Sequence, residues 1–403
     1  SICAFGFTSP LLVDEGGVVI AGQGRLEAAD RLKLDSIPVI ELQGLSTEQK
    51  RGLALADNKI ALSAGWDLEL LASELADLSS ISLDFNVEAI GFEVAEIDLI
   101  IGESERASDN EEDFELPRID APLITNRGDL WQLGEHRILC GDALSSGDMS
   151  DLMGGQLVDC GFTDPPYNVR INGHVTGNGR IKHREFEQAS GEMSKTEFEA
   201  FLENAFRNCA RVSREGAVWF TCMDWRHMRE IDTAGRSAFG TQLNLCVWAK
   251  TNGGMGSLYR SQHELVFVWR NGTAQHRNNV QLGRFGRNRT NLWTYAGVNT
   301  FRPGRMKELE AHPTAKPVAM VKDAILDVSK RGDIVLDPFL GAGSTLIAAQ
   351  RSGRRAYGME LDPRYVDASI RRWQTETGEA AIQLSDGRSF DDLESETGLG
   401  AVS

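Results

Sequence analysis

The chain of 403 residues predicts an α/β protein: a doubly wound, largely parallel sheet preceded by a smaller N-terminal α/β unit. Three observations carry that prediction. Apolar strand-like runs alternate with helical stretches from Leu157 to Gln374, the pattern of strands wound by crossover helices. The run Ile334-Val335-Leu336 leads into the turn Asp337-Pro338-Phe339-Leu340-Gly341-Ala342-Gly343-Ser344-Thr345 and then into an Ala-rich helical stretch, Leu346 to Gln350. An earlier run, Val158 to Phe162, ends in Asp164-Pro165-Pro166-Tyr167.

The elements follow in order. Val18-Val19-Ile20 reads as a strand, Gly22-Gln23-Gly24-Arg25 as a turn, Leu26 to Leu34 as a helix and Ile37 to Leu42 as a second strand. Ser46-Thr47-Glu48-Gln49 opens another helix, with Thr47 as a candidate N-cap. This unit is taken as residues 1–92. Residues 93–120 are acidic, most densely from Ser104 to Asp113, and predict an extended, flexible linker. Residues 121–384 form the larger domain. Its strands are Leu157–Thr163, Ala217–Thr221, Leu243–Ala249 and Leu265–Trp269. Its helices are Ser194–Val212, where Ser194 and Glu197 are spaced as a capping box, Pro317–Lys330 and Pro363–Gln374. Residues 385–403 form an acidic tail expected to fray.

Composition sets the frame. Hydrophobic residues make up 41% and charged residues 25%, as in ordinary globular chains. No apolar stretch has the length of a membrane span and no secretory signal is evident, which predicts a cytoplasmic protein. The chain opens at Ser1 rather than at methionine, which reads as a fragment or a trimmed chain. The 6 cysteines lack Cys-x-x-Cys spacing and the 7 histidines lack a His-Glu-x-x-His arrangement, so no metal is expected.

A net charge of −17, taken whole, disfavours a polyanionic partner. The charge is concentrated at one end, however: residues 1–116 hold 24 acids and 7 bases, and the rest holds 35 of each. Within the neutral part, Arg270 to Lys307 carries Arg277, Arg284, Arg287, Arg289, Arg302 and Arg305 with no acid. Arg170 to Arg184 is likewise basic and free of acids. Such stretches suit a phosphate backbone, and the interspersed Asn278, Asn279, Gln281 and Asn288 suit base edges. The simpler alternative is a solvated loop.

The two motifs carry chemistry. Two prolines fix φ and remove backbone donors, so Asp164-Pro165-Pro166-Tyr167 is a rigid turn presenting an acid and a ring at a strand end, where open α/β sheets place ligands. The glycine turn before a helix suits an adenosine-type cofactor, and Glu360, ending the strand Ala356 to Glu360, suits a ribose diol.

In this order the motifs resemble the beta class of DNA amino-methyltransferases, across about residues 124 to 377. Gly141-Asp142 matches the acid near the cofactor adenine. His312-Pro313-Thr314-Ala315-Lys316-Pro317 matches the segment approaching the methionine part, and His263 to Trp269 matches the last sheet strands. The resemblance implies a Rossmann-like methyltransferase fold, S-adenosyl-L-methionine as cofactor and double-stranded DNA as substrate. Asp164, Pro165, Pro166 and Tyr167 would be catalytic: Asp164 and the Pro165 carbonyl would accept the amine hydrogens, and Tyr167 would stack on an extruded base. Asp142, Thr163, Thr314, Lys316, Asp337, Phe339, Gly341, Gly343, Ser344, Thr345 and Glu360 would hold the cofactor. Arg170, Arg277, Arg284, Arg287, Arg289, Arg302 and Arg305 would meet DNA, with residues 270–311 as the target-recognition segment. The glycine-containing loop Asn168 to Met193 would close as a lid.

Simpler roles stay open at several positions. Asp142 could cap a turn, Glu360 could pair with Arg355, Asp337 could only shape the glycine turn, and Lys316 could pack. An Asp as first letter of the catalytic motif resembles adenine-N6 enzymes, whereas Ser is commoner in cytosine-N4 enzymes and Asn in RNA or protein modifiers. Phe5-Gly6-Phe7, the glycine turn with Arg25, and Leu55-Ala56-Asp57-Asn58-Lys59 resemble the ParB/sulfiredoxin type of N-terminal domain. That implies docking to DNA or a structural role in preference to nucleotide turnover. A ParB-like DNA-binding protein with a degenerate methylase half is the competing class. A homodimer and a cognate restriction enzyme are partners that the sequence leaves open.

Overall fold

In the computed structural model, which describes residues 1–63, 67–80, 90–108, 123–169, 191–251, 253, 258–284, 287–296 and 316–400, the chain divides into units Ser1–Asp109 and Asn110–Ser403.

The first unit starts with α1 (Ile2–Phe5), β1 (Leu11–Asp14), β2 (Val19–Ala21), α2 (Gln23–Arg31) and β3 (Val39–Leu42). Strand β1 pairs antiparallel with β2 and parallel with β3, giving a sheet in the order β2-β1-β3. Gly22 starts α2 at φ +99°, and a β-carbon there would come within 2.5 Å of Leu11. Arg25 donates to the carbonyls of Ser9 and Pro10 at 2.9 and 3.0 Å, so its guanidinium stitches the turn to β1. In α3 (Thr47–Ser63) the cap is Ser46 rather than Thr47: its hydroxyl accepts from Gln49 N–H, and Gln49 Oε1 accepts from Ser46 N–H.

Two further helices, α4 (Leu68–Ser80) and α5 (Val94–Ser108), pack through Leu71, Leu75, Ile97 and Ile101. The expectation of a linker from residue 93 is thus corrected for residues 94–108. The acids there are spaced around an apolar stripe at Val94, Ile97 and Ile101, which buries one face of a helix. Residues 109–120 lie outside the described residues.

The second unit contains β4 (Leu130–Leu133), β5 (His136–Cys140), α6 (Ser146–Met153), β6 (Val158–Thr163), α7 (Lys195–Val212), β7 (Ser213–Met223), α8 (Met228–Ala238), β8 (Gly240–Lys250) and β9 (His263–Asn271). It continues with β10 (Leu292–Tyr295), α9 (Val318–Val328), β11 (Ile334–Asp337), α10 (Ser344–Gln350), β12 (Arg355–Glu360), α11 (Pro363–Thr377), β13 (Ile382–Gln383) and α12 (Phe390–Gly400). The strand order is β10-β8-β9-β7-β6-β11-β12-β5-β4-β13. The centre, β7-β6-β11-β12-β5, is parallel, as expected for the doubly wound class, and β9, β4 and β13 run antiparallel to their neighbours.

Alternation along β7 feeds two cores. Trp219 packs on one face with Phe198, Phe206 and Trp269; Val218 and Phe220 pack on the other with Met320, Val321 and Ala324 of α9. Ser194 closes the expected capping box on α7. The tail differs from expectation: Phe390 is fully buried, its ring 5.4 Å from that of Trp131, and Ser389 caps α12 through Asp392 N–H. One well-placed aromatic anchors a segment that its acidity had marked for fraying.

Candidate active site

Strands β6 and β11 lie side by side, with Val335 opposite Cys160 and Leu336 opposite Gly161. From β6 the winding proceeds outward to β7, and from β11 it proceeds the other way to β12. The order reverses between β6 and β11, and ligands of open α/β sheets bind beyond the carboxyl ends at such a point. Both motifs leave the sheet there: Asp164 follows β6 and Asp337 ends β11.

The glycine turn is held from several sides. Gly343 adopts φ +77°, and a β-carbon on it would lie 2.9 Å from the Ser369 hydroxyl. That hydroxyl donates to the Gly341 carbonyl at 2.9 Å. A β-carbon on Gly358 would come within 2.6 Å of Leu340, so the turn rests directly on β12. Asp337 accepts the Phe339 N–H at 3.1 Å through Oδ1 and the Thr345 hydroxyl at 2.7 Å through Oδ2. It shapes the turn, the simpler of its two readings, and burial pushes its carboxyl up to about 6. Ser344 donates to the Lys316 carbonyl at 2.8 Å, and the Phe339 ring lies 5.9 Å from that of Phe201.

Glu360 accepts Gly341 N–H and Asp362 N–H, each at 2.9 Å. Burial pushes its carboxyl up to about 7. Arg355, its alternative partner, donates instead to the Gly332 carbonyl at 2.8 Å. Gly141 N–H donates to the Glu360 carbonyl at 3.0 Å, which brings Asp142 to the same rim. Asp142 caps its own turn by accepting Leu144 N–H at 2.9 Å. Thr163 is wholly buried, with its hydroxyl against the Asp337 carboxylate.

A charged network surrounds Asp164. Its Oδ1 accepts the Tyr167 hydroxyl at 2.7 Å and its Oδ2 accepts the Lys316 ammonium at 2.5 Å. The same hydroxyl and ammonium lie 3.0 and 3.2 Å from Oε2 of Glu264 on β9. Lys250 of β8 bonds the other oxygen, Oε1. The Lys316 ammonium stands 5.5 Å over the Tyr167 ring and 5.9 Å over the Trp248 ring. Burial works against ionising Glu264, but Lys316 and Lys250 outweigh it and hold its carboxyl down at about 2. Burial raises the Asp164 carboxyl, and the charge of Glu264 adds to that against the pull of Lys316. Burial and both carboxylates push the Tyr167 phenol well up.

Lys316, expected on the cofactor, therefore places its ammonium on the carboxylate of the catalytic motif and only its backbone carbonyl toward the glycine turn. Thr314 lies outside the described residues. Asn168, at φ +51°, accepts Gly191 N–H and Met193 N–H and donates to the Met193 carbonyl, tying both ends of the loop expected to be a lid. That loop's interior, with Arg170, lies outside the described residues.

Two of the arginines expected to meet DNA, Arg287 and Arg289, need correction. Strand β9 runs antiparallel to β7, with Met223 opposite Leu265 and Val218 opposite Arg270. The chain after β9 thus starts at the end of the sheet away from Asp164. Arg287 donates to Asp327 at 2.6 Å and to the Asp323 carbonyl at 3.0 Å. Arg289 pairs with Asp323 at 3.1 Å and Asp327 at 2.8 Å. These two cations fasten the chain to α9 and are not open to phosphate. Arg277 is half-buried and lies near enough to Asp333, at the foot of β11, to lower its carboxyl against the raising effect of burial. Arg284 is exposed, and Arg302 and Arg305 lie outside the described residues.

Sequence reasoning sees His263-Glu264 only as part of a strand and misses Lys250, Trp248 and Asn168. An acid opening an otherwise apolar strand is the one available signal for Glu264.

Among known families, the model described as DNA methylase, covering N6 and N4 methyltransferases, matches residues 158–371, and a ParB-methyltransferase HTH domain matches residues 69–127. The second match crosses the boundary expected at residue 92. The chain is 27% identical over 236 residues to the type II methyltransferase M.HinfI of Haemophilus influenzae, covering 53% of this chain and 62% of that protein. It is 27% identical over 273 residues to the DNA adenine methyltransferase YhdJ of Escherichia coli (strain K12), covering 62% and 86%. Among solved structures, the M1.HpyAVI–SAM complex is similar at a TM-score of 0.43 and 20% identity, over 58% of this chain and 97% of that one.

Proposed function

The chain belongs to the DNA methylase family of N6/N4 enzymes, and from that premise we propose that it transfers a methyl group from S-adenosyl-L-methionine to the exocyclic N6 of an adenine extruded from duplex DNA. The observation carrying this reading is the meeting of Asp164 and the glycine turn at the carboxyl ends of adjacent strands β6 and β11, where the winding reverses.

The residues present fit the cofactor. Glu360 and Asp142 offer carboxylate oxygens at one rim, and beside them Gly343 holds the turn at φ +77°, a conformation that other residues rarely adopt. When bound, S-adenosyl-L-methionine supplies an electrophilic methyl group on a sulfonium sulfur. In this reading Glu360 takes the ribose hydroxyls, Asp142 the adenine, and Thr163 and the turn from Phe339 to Thr345 line the remainder. The Lys316 carbonyl holds Ser344 of that turn, Asp337 shapes it, and Thr314 stays in the cofactor set as expected from sequence.

Asp164 acts on the target amine. An exocyclic amine is a poor nucleophile because its lone pair is delocalised into the ring. Tyr167 and Lys316 use two of the roughly four acceptor positions of the carboxylate. The others accept an amine hydrogen while the Pro165 carbonyl accepts the second, which favours a pyramidal nitrogen. The nitrogen sheds a proton after charge develops on it, so no strong base is required. Pro166 keeps carboxylate and ring in register, and the Tyr167 ring stacks on the extruded base.

The reading extends to a cytoplasmic location and is compatible with self-association and a cognate restriction enzyme. Among the described residues no helix is long and apolar enough to cross a membrane. Incubating the protein with tritiated S-adenosyl-L-methionine and duplex DNA, RNA or protein tests the substrate class. Label in duplex DNA alone supports the proposal; label only in RNA or protein overturns it.

A further inference from the structure

Around Asp164 the structure holds more ionic machinery than amine recognition requires. Two acids, Asp164 and Glu264, share one ammonium, that of Lys316, at 2.5 and 3.2 Å. They also share one phenol hydroxyl, that of Tyr167, at 2.7 and 3.0 Å. Lys250 backs Glu264 from its far oxygen. The four elements involved converge from β6, β8, β9 and the entry to α9, so no single element could set this geometry.

Lys316 is 5% and Glu264 15% exposed at the side chain, and a pair so withdrawn from water is costly to build unless its geometry serves a purpose. A carboxylate held by one short ionic bond would still rotate about its Cβ–Cγ bond. Two donors on different oxygens fix its plane: the Lys316 ammonium, whose further proton reaches Glu264, and the Tyr167 hydroxyl, whose single proton the two acids share.

We infer that Glu264, backed by Lys250, is a positioning residue for the methyl transfer, holding Lys316 and Tyr167 on Asp164 so that this carboxylate meets the target amine in one fixed orientation. The inference rests on the function proposed above. Glu264 touches neither amine nor cofactor; it acts through Lys316 and Tyr167. The arrangement also sets two opposing influences on Asp164, the positive charge of Lys316 and the negative charge of Glu264. Among the described residues the other ionisable groups facing Asp164 are Tyr167 itself, Cys222 of β7 and Asp337 of β11, and Lys250 acts through Glu264.

Three substitutions, Glu264→Gln, Lys316→Gln and Lys316→Arg, separate the clamp from a merely structural pair. In ¹³C NMR titrations of the cofactor-free protein, with the Asp164 carboxyl signal assigned by its loss in Asp164→Asn, Glu264→Gln moves the Asp164 midpoint down and Lys316→Gln moves it up, each by on the order of one pH unit. Lys316→Arg keeps the charge and leaves the midpoint close to that of the unaltered protein. In methyl transfer to duplex DNA, Glu264→Gln lowers kcat by on the order of 10²-fold with little change in KM, because orientation rather than binding is lost. Midpoints that do not move, that move in the same direction, or that move as far with Lys316→Arg as with Lys316→Gln overturn the inference, as does an unchanged kcat in Glu264→Gln. If the opposite shifts appear but the unaltered protein methylates no DNA, the clamp on Asp164 stands and the DNA reading falls.

Discussion

Glu360 accepts the backbone N–H of Gly341 at 2.9 Å, so the acid that ends β12 also holds the turn that follows β11. Burial has pushed that carboxyl from 4.5 up to about 7. A carboxyl raised in the folded state contributes stability that is fully present below its ordinary value and is lost as pH rises through its folded value. The melting temperature of cofactor-free protein, compared with that of Glu360→Gln, therefore declines between pH 4.5 and about 7. Affinity for S-adenosyl-L-methionine moves the opposite way and rises over the same window, since ribose hydroxyls donate to the ionised acid. Glu360→Gln flattens that rise and weakens binding by about 10- to 100-fold, the worth of hydrogen bonds to a charged group. Calorimetry across pH checks both; an affinity independent of pH removes Glu360 from the cofactor site.

Asp164→Ala separates chemistry from binding. The carboxylate belongs to the β6 motif, whereas the glycine turn is held by Asp337, Ser369 and Glu360. The variant is expected to lose methyl transfer by at least about 10³-fold, as when a preorganised electrostatic partner is removed, and to bind cofactor nearly as before. Single-turnover assays and calorimetry on the same preparation decide it; unchanged turnover refutes the role.

The arginines of the post-β9 segment give a prediction of the opposite kind. Arg287 is 7% and Asp327 11% exposed at the side chain. Arg287→Ala strips one of two arginines from the buried Asp327, leaving Arg289, and is expected to cost about 2 kcal/mol of stability. It leaves the salt dependence of DNA binding unchanged, because no phosphate contact is lost. Urea unfolding and binding measured at several salt concentrations test the two halves. A shallower salt slope would return Arg287 to the DNA surface.

Gly161 of β6 sits under the Trp219 ring, where a β-carbon would come within 2.3 Å of ring atoms. Trp219 is fully buried and bonded to Ser213, so it cannot swing away. Gly161→Ala is expected to destabilise the protein by about 1–3 kcal/mol, the usual cost of overpacking. Because β6 leads straight into Asp164, kcat should fall as well. A melting temperature unchanged from that of the unaltered protein contradicts this packing.

Much of the site was legible because its signals are local. Prolines after a strand, glycines before a helix and the Ser194–Glu197 capping box each act within a few residues. The Asp164–Lys316 contact joins residues 152 positions apart, and only the docking of α9 against β6 brings them together. The acid-free run around Arg287 misled for the same reason: its acids, Asp323 and Asp327, arrive from α9. Acid density likewise hid the apolar stripe of α5, and a single buried ring, Phe390, ordered the tail.

The central claim is that a carboxylate on β6 directs methyl transfer to adenine in DNA. Mass spectrometry of nucleosides from the DNA of cells expressing the chain, alongside cells expressing Asp164→Ala, tests it most directly. The account predicts N6-methyladenine with the unaltered chain and none above background with the variant. N4-methylcytosine in its place, or no methylated base from a folded, cofactor-binding protein, would contradict it.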